Sequence, residues 1–207
     1  MYSRLWYSLL IIIVYIRCLQ SQTPRNVIRA KILEATNKYR VKHHAVPLIR
    51  SEKVEVIAQD WAVRLAQGHF FEHRPSNVYG ENLWMASGIS EADVMNRPGI
   101  NPVDDWYNEI QYYPSGAFKT WGHFTQLIWR GSLRLGCGIA SNSSVYVVCN
   151  YDPPGNVQGL FDKNVLQENG KPFPPKSSYQ ILVYIILVFI LAVIASVVLY
   201  KIYRRYH

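Results

Sequence analysis

Four side chains combine the residue types of a metal or acid–base site: His73, Glu81, Glu109 and His123. Each lies beside an aromatic residue or a turn rather than on an obvious solvated helix face. Neutral imidazoles bind divalent cations such as Zn²⁺, and a neighbouring carboxylate fixes the tautomer of such a ring. The alternative is that the four groups only satisfy one another in a polar cleft. Their spacing leaves both interpretations open, because no H-E-x-x-H or C-x-x-C motif accompanies them.

The sequence offers little for nucleophilic catalysis. An activated serine or cysteine needs a histidine and an orienting acid beside it, and no G-x-S-x-G motif occurs. Cys137 and Cys149 lie on predicted strands, and Thr125 and Ser132 have no special context. We therefore predict a non-catalytic domain that requires no cofactor. A metal-dependent hydrolase, using the two histidines with a carboxylate as base, is the enzymatic alternative.

Helices in the first two thirds of the chain must position these groups. Thr23-Pro24 predicts a helix start, and apolar residues at helical spacing continue this helix to about residue 43: Ile28, Ile32, Ala35 and Tyr39. Ser51 predicts the cap of a second helix that ends at Gly68. Its predicted buried face consists of Val54, Ile57, Ala58, Trp61 and Leu65. A third helix starts at Asn101-Pro102.

A strand, a polar turn and a second strand follow late in the chain. Cys137 and Cys149 flank this pattern and would lie nearly opposite each other in the hairpin. A disulfide bond and two free thiols are both open, because bridges between adjacent strands need a particular geometry. The turn carries Asn142-Ser143-Ser144, a glycosylation sequon at an exposed loop tip. Helices followed by an antiparallel hairpin predict an α+β layered domain.

Both ends of the chain predict delivery to a membrane. Arg4 and an apolar run of signal-peptide length predict a signal peptide over residues 1–21, with an uncleaved N-terminal anchor as the alternative. Residues 181–200 carry no charge and match one transmembrane helix. A basic tail, 201–207, predicts a cytoplasmic C-terminus. The domain, residues 22–168, would then lie on the extracellular or lumenal side, at the plasma membrane or in the secretory pathway, joined to the span by a Pro-rich stalk, 169–180.

The net charge of +8 does not indicate a nucleic-acid partner. Five of the basic residues lie in the targeting and anchor segments: Arg4, Arg17, Lys201, Arg204 and Arg205. Residues 22–178 hold 17 Lys and Arg against 14 Asp and Glu, which leaves +3 for the domain. Most of the net positive charge therefore lies in the segments that determine membrane topology. The charge of the domain does not support nucleic acid as a partner, and we exclude it.

Several motifs resemble those of one family. Gly122–Trp129 and Tyr146–Val157 resemble the two signature motifs of the CAP superfamily, which includes cysteine-rich secretory proteins, venom allergens and plant pathogenesis-related proteins. Gly80–Leu83 and Trp106–Ile110 are similar to two shorter motifs of that superfamily. The resemblance covers about residues 25–166, and its spacing is most similar to the Golgi-associated plant pathogenesis-related subgroup. The domain holds only two cysteines, so the disulfide pattern of secreted relatives is not carried over.

The resemblance implies an α-β-α sandwich around a small antiparallel sheet, with two histidines and two glutamates in a cleft. On this chain the matching positions are His73, His123, Glu81 and Glu109. In some relatives the two histidines bind Zn²⁺ or another divalent cation. The implied function is lipid or sterol binding or cell-surface recognition by a membrane-anchored domain, and the alternative is a protein-interaction module with a cell-surface partner.

Four aromatic residues are predicted close to the cleft, and their exposure decides whether they could bind a lipid ligand. They would contact an apolar ligand if they faced the cleft, whereas packing in the core is the other interpretation. These residues are Trp84, Trp106, Phe124 and Trp129.

Overall fold

A four-stranded mixed sheet forms the centre of the part of the chain that the structure describes. Its strands are β1 (Ile49–Arg50), β2 (Gly80–Ser87), β3 (Arg134–Ser141) and β4 (Ser144–Asp152). They lie in the order β1-β3-β4-β2, with β4 antiparallel to both of its neighbours. The predicted antiparallel sheet is confirmed for β2, β3 and β4, whereas β1 runs parallel to β3 and makes the sheet mixed. The short link between two helices passes along the outer edge of β3, where the Ile49 N–H donates to the Leu133 carbonyl.

The structure is a computed structural model that describes residues 24–114, 118–174 and 186–195. Its α-helices are α1 (Pro24–Lys42), α2 (Glu52–Gly68), α3 (Pro102–Asn108), α4 (Gly122–Leu127) and α5 (Phe161–Asn164). Short 3₁₀ turns cover Glu91–Asp93, Glu109–Tyr112 and Phe118–Thr120. The chain divides into two compact units, Met1–Phe173 and Pro174–His207.

Helix α2 packs on one face of the sheet. Ser51 caps it, accepting a hydrogen bond from the Val54 N–H, as the sequence predicts. The helix lies so close to β3 that a Cβ atom at Gly136 would come within 2.2 Å of the Glu55 backbone nitrogen. Gly138 meets the α2 backbone in the same way. Glycine at these alternate strand positions is therefore what lets the helix backbone rest directly on the sheet.

The opposite face of the sheet packs against α1, α3 and α4. Alternate residues of β4 supply the two cores: Val145, Val147, Cys149 and Tyr151 face α1 and α4, whereas Tyr146 and Val148 face α2. Because both faces are covered, every residue of β4 except Asp152 is buried. The predicted α-β-α sandwich is thereby confirmed.

Helix α1 buries a polar pair that its apolar pattern does not predict. Ile28 and Ile32 are buried as expected, but Thr36 and Arg40 complete the fully buried stripe. The predicted Ala35 and Tyr39 are only partly buried. The Arg40 guanidinium donates to four backbone carbonyls, those of Val46, Leu127, Trp129 and Ser132. Desolvation lowers the pKa of Arg40 to about 10.

The predicted hairpin is confirmed, and its cysteines form a disulfide bond. Cys137 and Cys149 are register partners in β3 and β4, with their Cα atoms 4.2 Å apart. That spacing is typical of a non-hydrogen-bonded pair in an antiparallel ladder, where side chains come closest. Of the two alternatives that the sequence left open, the structure has the bridge.

The segment after α5 returns across the domain. Leu166 pairs with Pro172 in an isolated bridge, and Phe173 packs edge-on against Tyr113. The buried ring of His43 holds this segment through its Nδ1 atom, which lies 2.6 Å from the Leu166 carbonyl oxygen. The compact unit therefore extends to Phe173, into the region predicted as stalk.

The predicted targeting segments lie wholly or partly outside the described residues. The signal peptide, 1–21, and the cytoplasmic tail, 201–207, fall outside them, as does 175–180 of the stalk. Within the predicted span, residues 186–195 are helical and the rest is not described. Among the residues that the structure describes, no helix has both the length and the apolar character needed to cross a membrane.

Candidate functional site

His123 stands at the start of α4 and is held by Glu109. The Glu109 Oε1 atom lies 2.7 Å from the ring Nδ1 of His123. The other carboxylate oxygen accepts the backbone N–H groups of His123 and Phe124, at 2.9 and 3.2 Å. Glu109 thus caps the helix that carries the histidine and orients the histidine ring at the same time.

His73 and Glu81 repeat this arrangement from other elements. His73 lies in the loop after α2, and Glu81 lies on β2 opposite Asn150. The Glu81 Oε1 atom accepts from the ring Nδ1 of His73 at 2.9 Å and from the backbone N–H of Arg74 at 3.0 Å. Its Oε2 atom accepts from the Asn77 amide. The Glu81 side chain is only 4 % exposed, whereas the His73 side chain is 64 % exposed.

The two carboxylates determine which ring nitrogen of each histidine is available. An ionised carboxylate only accepts hydrogen bonds, so the Nδ1 atom that faces it carries the hydrogen. The neutral rings of His73 and His123 therefore keep a lone pair on Nε2. A carboxylate on one nitrogen and a free lone pair on the other is the arrangement that metal-binding histidines adopt. An imidazole Nε2 atom with a lone pair is a type of donor that Zn²⁺ binds.

Both histidines line one cavity of about 360 Å³. Its wall consists of His73, Glu81, Phe118, Lys119, Gly122, His123 and Asn156. The structure therefore brings three of the four predicted cleft residues to the cavity wall, and Glu109 stands behind His123. Among residues 24–114, 118–174 and 186–195, no group of three or more His, Cys, Asp and Glu side chains is arranged to hold a metal ion. The two histidines are thus the cavity residues whose ring nitrogens could serve as cation ligands.

Four residues of the cavity wall were not among the predicted site residues: Phe118, Lys119, Gly122 and Asn156. The Asn156 side chain accepts from the Thr125 hydroxyl and donates to the Gly122 carbonyl, which fixes it against α4. Its φ of 58° is a left-handed conformation that asparagine tolerates better than most residues. An asparagine after Gly155 in a turn is the signal that points to this position. Phe118 and Lys119 carry no comparable signal.

Three of the four aromatic residues near the cleft belong to the core. Trp106, Phe124 and Trp129 are at most 2 % exposed, and Trp106 donates its indole N–H to the Leu83 carbonyl. Trp84 is partly buried, and its indole N–H donates to Asp105. The core interpretation of the three buried rings is therefore the right one.

Asn142 lies away from the cleft. It occupies the turn between β3 and β4, where it is exposed. Its amide nitrogen is 3.3 Å from the Nε2 atom of His69. Its position leaves the predicted glycosylation site accessible to modification.

The chain matches the model of the cysteine-rich secretory protein family, CAP, over residues 33–151, which is more than half of its length. The chain belongs to the CAP family. All of the predicted cleft residues lie within the matched segment. The family resemblance that the motifs predict is thereby confirmed.

Curated relatives extend the match to nearly the whole domain. The human Golgi-associated plant pathogenesis-related protein 1 is 35% identical over 156 residues, which cover 70% of this chain and 92% of the relative. The pathogenesis-related protein 1C of Nicotiana tabacum is 38% identical over 134 residues, covering 61% of this chain and 76% of the relative. The predicted resemblance to the Golgi-associated subgroup agrees with the first of these.

Solved structures share the fold. The structure of NaASP2 with Zn²⁺ superposes with a TM-score of 0.51 at 23% identity, covering 72% of this chain and 87% of that one. The hookworm platelet inhibitor also gives a TM-score of 0.51, at 18% identity, covering 73% and 79% of the two chains. At these identities the likeness establishes the fold alone.

Proposed function

We propose that this CAP domain is a non-catalytic binding module that takes up a divalent cation between His73 and His123. The observation that supports it is the paired arrangement in which a glutamate holds Nδ1 of each histidine and leaves Nε2 with a lone pair. Both histidines line the same cavity. Such carboxylate–histidine pairs are built to raise the basicity of the metal-binding nitrogen.

The hydrogen bonds of the two glutamates favour the binding module over the hydrolase alternative. A metal-dependent hydrolase needs a carboxylate with a free lone pair to take a proton from water. Glu109 accepts from three donors, two of them backbone N–H groups. Glu81 also accepts from three donors. Three of the about four acceptor positions on each carboxylate therefore hold a histidine and neighbouring N–H groups, which leaves each glutamate little capacity to act as a base.

Calorimetric titration with Zn²⁺ tests the cation site. The full-length chain, first stripped with a chelator, should bind Zn²⁺ at neutral pH, and His73→Ala and His123→Ala should each weaken binding by at least about 10-fold. His69→Ala is the matched control, because His69 contacts Ser143 outside the cavity. Binding should also weaken at mildly acidic pH, since protons compete for neutral histidine ligands. Equal affinities for the wild type and His123→Ala would refute the proposal.

We further propose that the domain is displayed on the extracellular or lumenal side and anchored by residues 181–200. The uncharged run and the basic residues after it support this topology. Glycosidase treatment should lower the apparent mass of the protein from cells, and Asn142→Gln should abolish that shift. If the protein from the same cells is unglycosylated and external protease does not cleave the domain, the domain lies in the cytosol and the proposed topology is wrong.

Lipid or sterol binding is a separate candidate for an anchored domain. The buried positions of Trp106, Phe124 and Trp129 remove them from a lipid-binding surface in the cleft. A ligand of this class would have to use exposed apolar side chains such as Val157 and Leu160. An extraction assay that measures lipid or sterol bound to the purified chain separates this candidate from recognition of a cell-surface protein.

A further inference from the structure

We propose that His43, Tyr107 and Glu168 form a pH-responsive switch that fastens the loop 167–171 to α3. When His43 takes up a proton, the hydroxyl hydrogen of Tyr107 turns from His43 to Glu168. The three residues lie directly after α1, in α3 and in the segment after α5. The switch does not depend on the proposed cation site, because its contacts involve no residue of the cleft.

The His43 ring is fully buried, and both of its nitrogens face an oxygen atom of the protein. Its Nδ1 atom lies 2.6 Å from the Leu166 carbonyl oxygen, and its Nε2 atom lies 3.0 Å from the Tyr107 hydroxyl oxygen. The same hydroxyl oxygen lies 3.2 Å from the Oε1 atom of Glu168. These atoms form one chain of contacts, from the Leu166 carbonyl through the imidazole and the phenol to the carboxylate.

This chain of contacts has room for one more proton than a neutral ring supplies. The Leu166 carbonyl only accepts, so Nδ1 of His43 carries a hydrogen. In the neutral ring Nε2 has a lone pair and takes the hydroxyl hydrogen of Tyr107, which leaves the contact with Glu168 without a hydrogen. A protonated ring donates from both nitrogens. The Tyr107 hydroxyl can then accept from His43 and donate to the ionised Glu168 carboxylate, so all three contacts become hydrogen bonds.

Glu168 is the residue through which the switch acts on the loop 167–171. Two backbone hydrogen bonds close this loop on itself. The Glu168 carbonyl accepts from Nε2 of His44 at 2.9 Å, and that nitrogen keeps its hydrogen whether His44 is neutral or charged. The Glu168 carboxylate adds a second connection, to Tyr107, which is a hydrogen bond when the hydroxyl hydrogen points towards it. Proton uptake by His43 therefore adds one hydrogen bond between the loop and α3.

The groups packed around His43 set the pH range of the switch. Burial, the largest influence, lowers the pKa of His43, and the Leu166 carbonyl and the Glu168 carboxylate raise it. Two basic neighbours on the α1 side, Lys42 and His44, lower it further, and α4 contributes the uncharged ring of Phe124. The switch therefore operates at mildly acidic pH. Burying the charge costs stability for the domain as a whole, whereas the added hydrogen bond strengthens the loop locally.

Amide hydrogen exchange tests the switch, measured by mass spectrometry on the full-length chain in detergent at about pH 7.5 and about pH 5. Protection of the loop 167–171 is taken relative to the intrinsic exchange rate at each pH. We expect this protection to rise by about 5-fold on acidification, because opening the loop must then break one more hydrogen bond. Protection that stays constant, or that falls on acidification, would overturn the proposal.

Three variants each remove one member of the switch and should abolish the rise in protection. Tyr107→Phe removes the hydroxyl but keeps the ring that stacks on Tyr39. Glu168→Ala removes the acceptor at an exposed position, and His43→Gln removes the group that titrates. If the buried His43→Gln variant does not fold, the exposed Glu168→Ala variant still decides the question. A rise that persists in Tyr107→Phe or in Glu168→Ala shows that the proposal is wrong.

Two histidine variants are matched controls. His69→Gln removes an exposed histidine that contacts Ser143, so it should keep the full rise. His44→Gln should lower the protection of the loop at both pH values and keep the ratio between them, because His44 donates to the Glu168 carbonyl in either charge state. Loss of the rise in His44→Gln would assign the pH dependence to His44 and would overturn the proposal.

Discussion

Replacing Arg40 with methionine tests what holds α4 in place. The Arg40 side chain is fully buried, and it donates to the carbonyls of Val46, Leu127, Trp129 and Ser132 at 2.8 to 3.1 Å. Three of these carbonyls lie at or just after the C-terminal end of α4. A guanidinium at that end also complements the negative end of the helix dipole.

The expected loss follows from the hydrogen bonds. The Trp129 carbonyl also accepts the Ser132 N–H, so it keeps a partner when Arg40 is removed. The buried carbonyls of Leu127 and Ser132 lose a charged donor, and each unsatisfied buried acceptor costs about 1 to 3 kcal/mol. Val46 is 64% exposed, so water can replace Arg40 at its carbonyl. Removing the charge relieves a desolvation cost of several kcal/mol, which offsets part of this. We expect Arg40→Met to lower the free energy of unfolding by about 2 to 4 kcal/mol.

Denaturant unfolding followed by tryptophan fluorescence measures this loss. Arg64→Met is the control, because Arg64 is 60% exposed and its bond to Asp60 should contribute less than about 1 kcal/mol. Arg40→Lys keeps the charge but not the planar set of donors, so its loss should fall between those of the other two variants. A loss below about 1 kcal/mol for Arg40→Met would refute the reasoning, because the carbonyls would then have found other partners.

Three further predictions concern the site, the pH dependence and the disulfide bond. Glu109→Gln should weaken Zn²⁺ binding by about 10- to 100-fold in calorimetry, because the Nδ1–H of His123 loses its anionic acceptor; an unchanged affinity would contradict this role. Burial lowers the pKa of His43 below 6.5, so folding favours the neutral ring, and the stability it contributes is present above pH 6.5 and is lost as the pH falls. The difference in unfolding free energy between wild type and His43→Gln, from urea denaturation, should therefore shrink between about pH 7 and about pH 5; a constant difference would contradict it. Replacing both Cys137 and Cys149 with alanine should lower the unfolding free energy by about 2 to 3 kcal/mol in the same assay, and an unchanged value would show that the bridge adds nothing to the ladder.

Local patterns in the sequence predict the helices well. The Ser51 cap and the apolar spacing locate α2 to within a residue, because the helix buries one continuous face on the sheet. The hairpin of β3 and β4 is equally visible from its polar turn. The strand β2 is missed, since Gly80-Glu81-Asn82 does not alternate between apolar and polar residues. In this segment Glu81 lies in the cleft and Asn82 makes buried hydrogen bonds, so the side chains do not form a regular apolar face.

The site depends on contacts that no local pattern contains. His73 and His123 lie on a loop and a short helix far apart in the chain, and only the family resemblance predicts that they share a cleft. The burial of Arg40 is missed for a related reason. Its partners are backbone carbonyls more than eighty residues away in three cases out of four, and a charged residue is normally expected at the surface. Lys119 reaches the cavity wall through tertiary packing alone.

The close contact between β3 and α2 has a consequence for oxidation of the two cysteines. If β3 slipped by one residue along β4, a side chain such as that of Cys137 would take the place of Gly136 or Gly138 against the helix backbone, where no side chain fits. The same slip would move Cys137 away from Cys149, its register partner. Oxidation of this pair therefore selects correctly aligned chains. Misaligned chains would keep two free thiols.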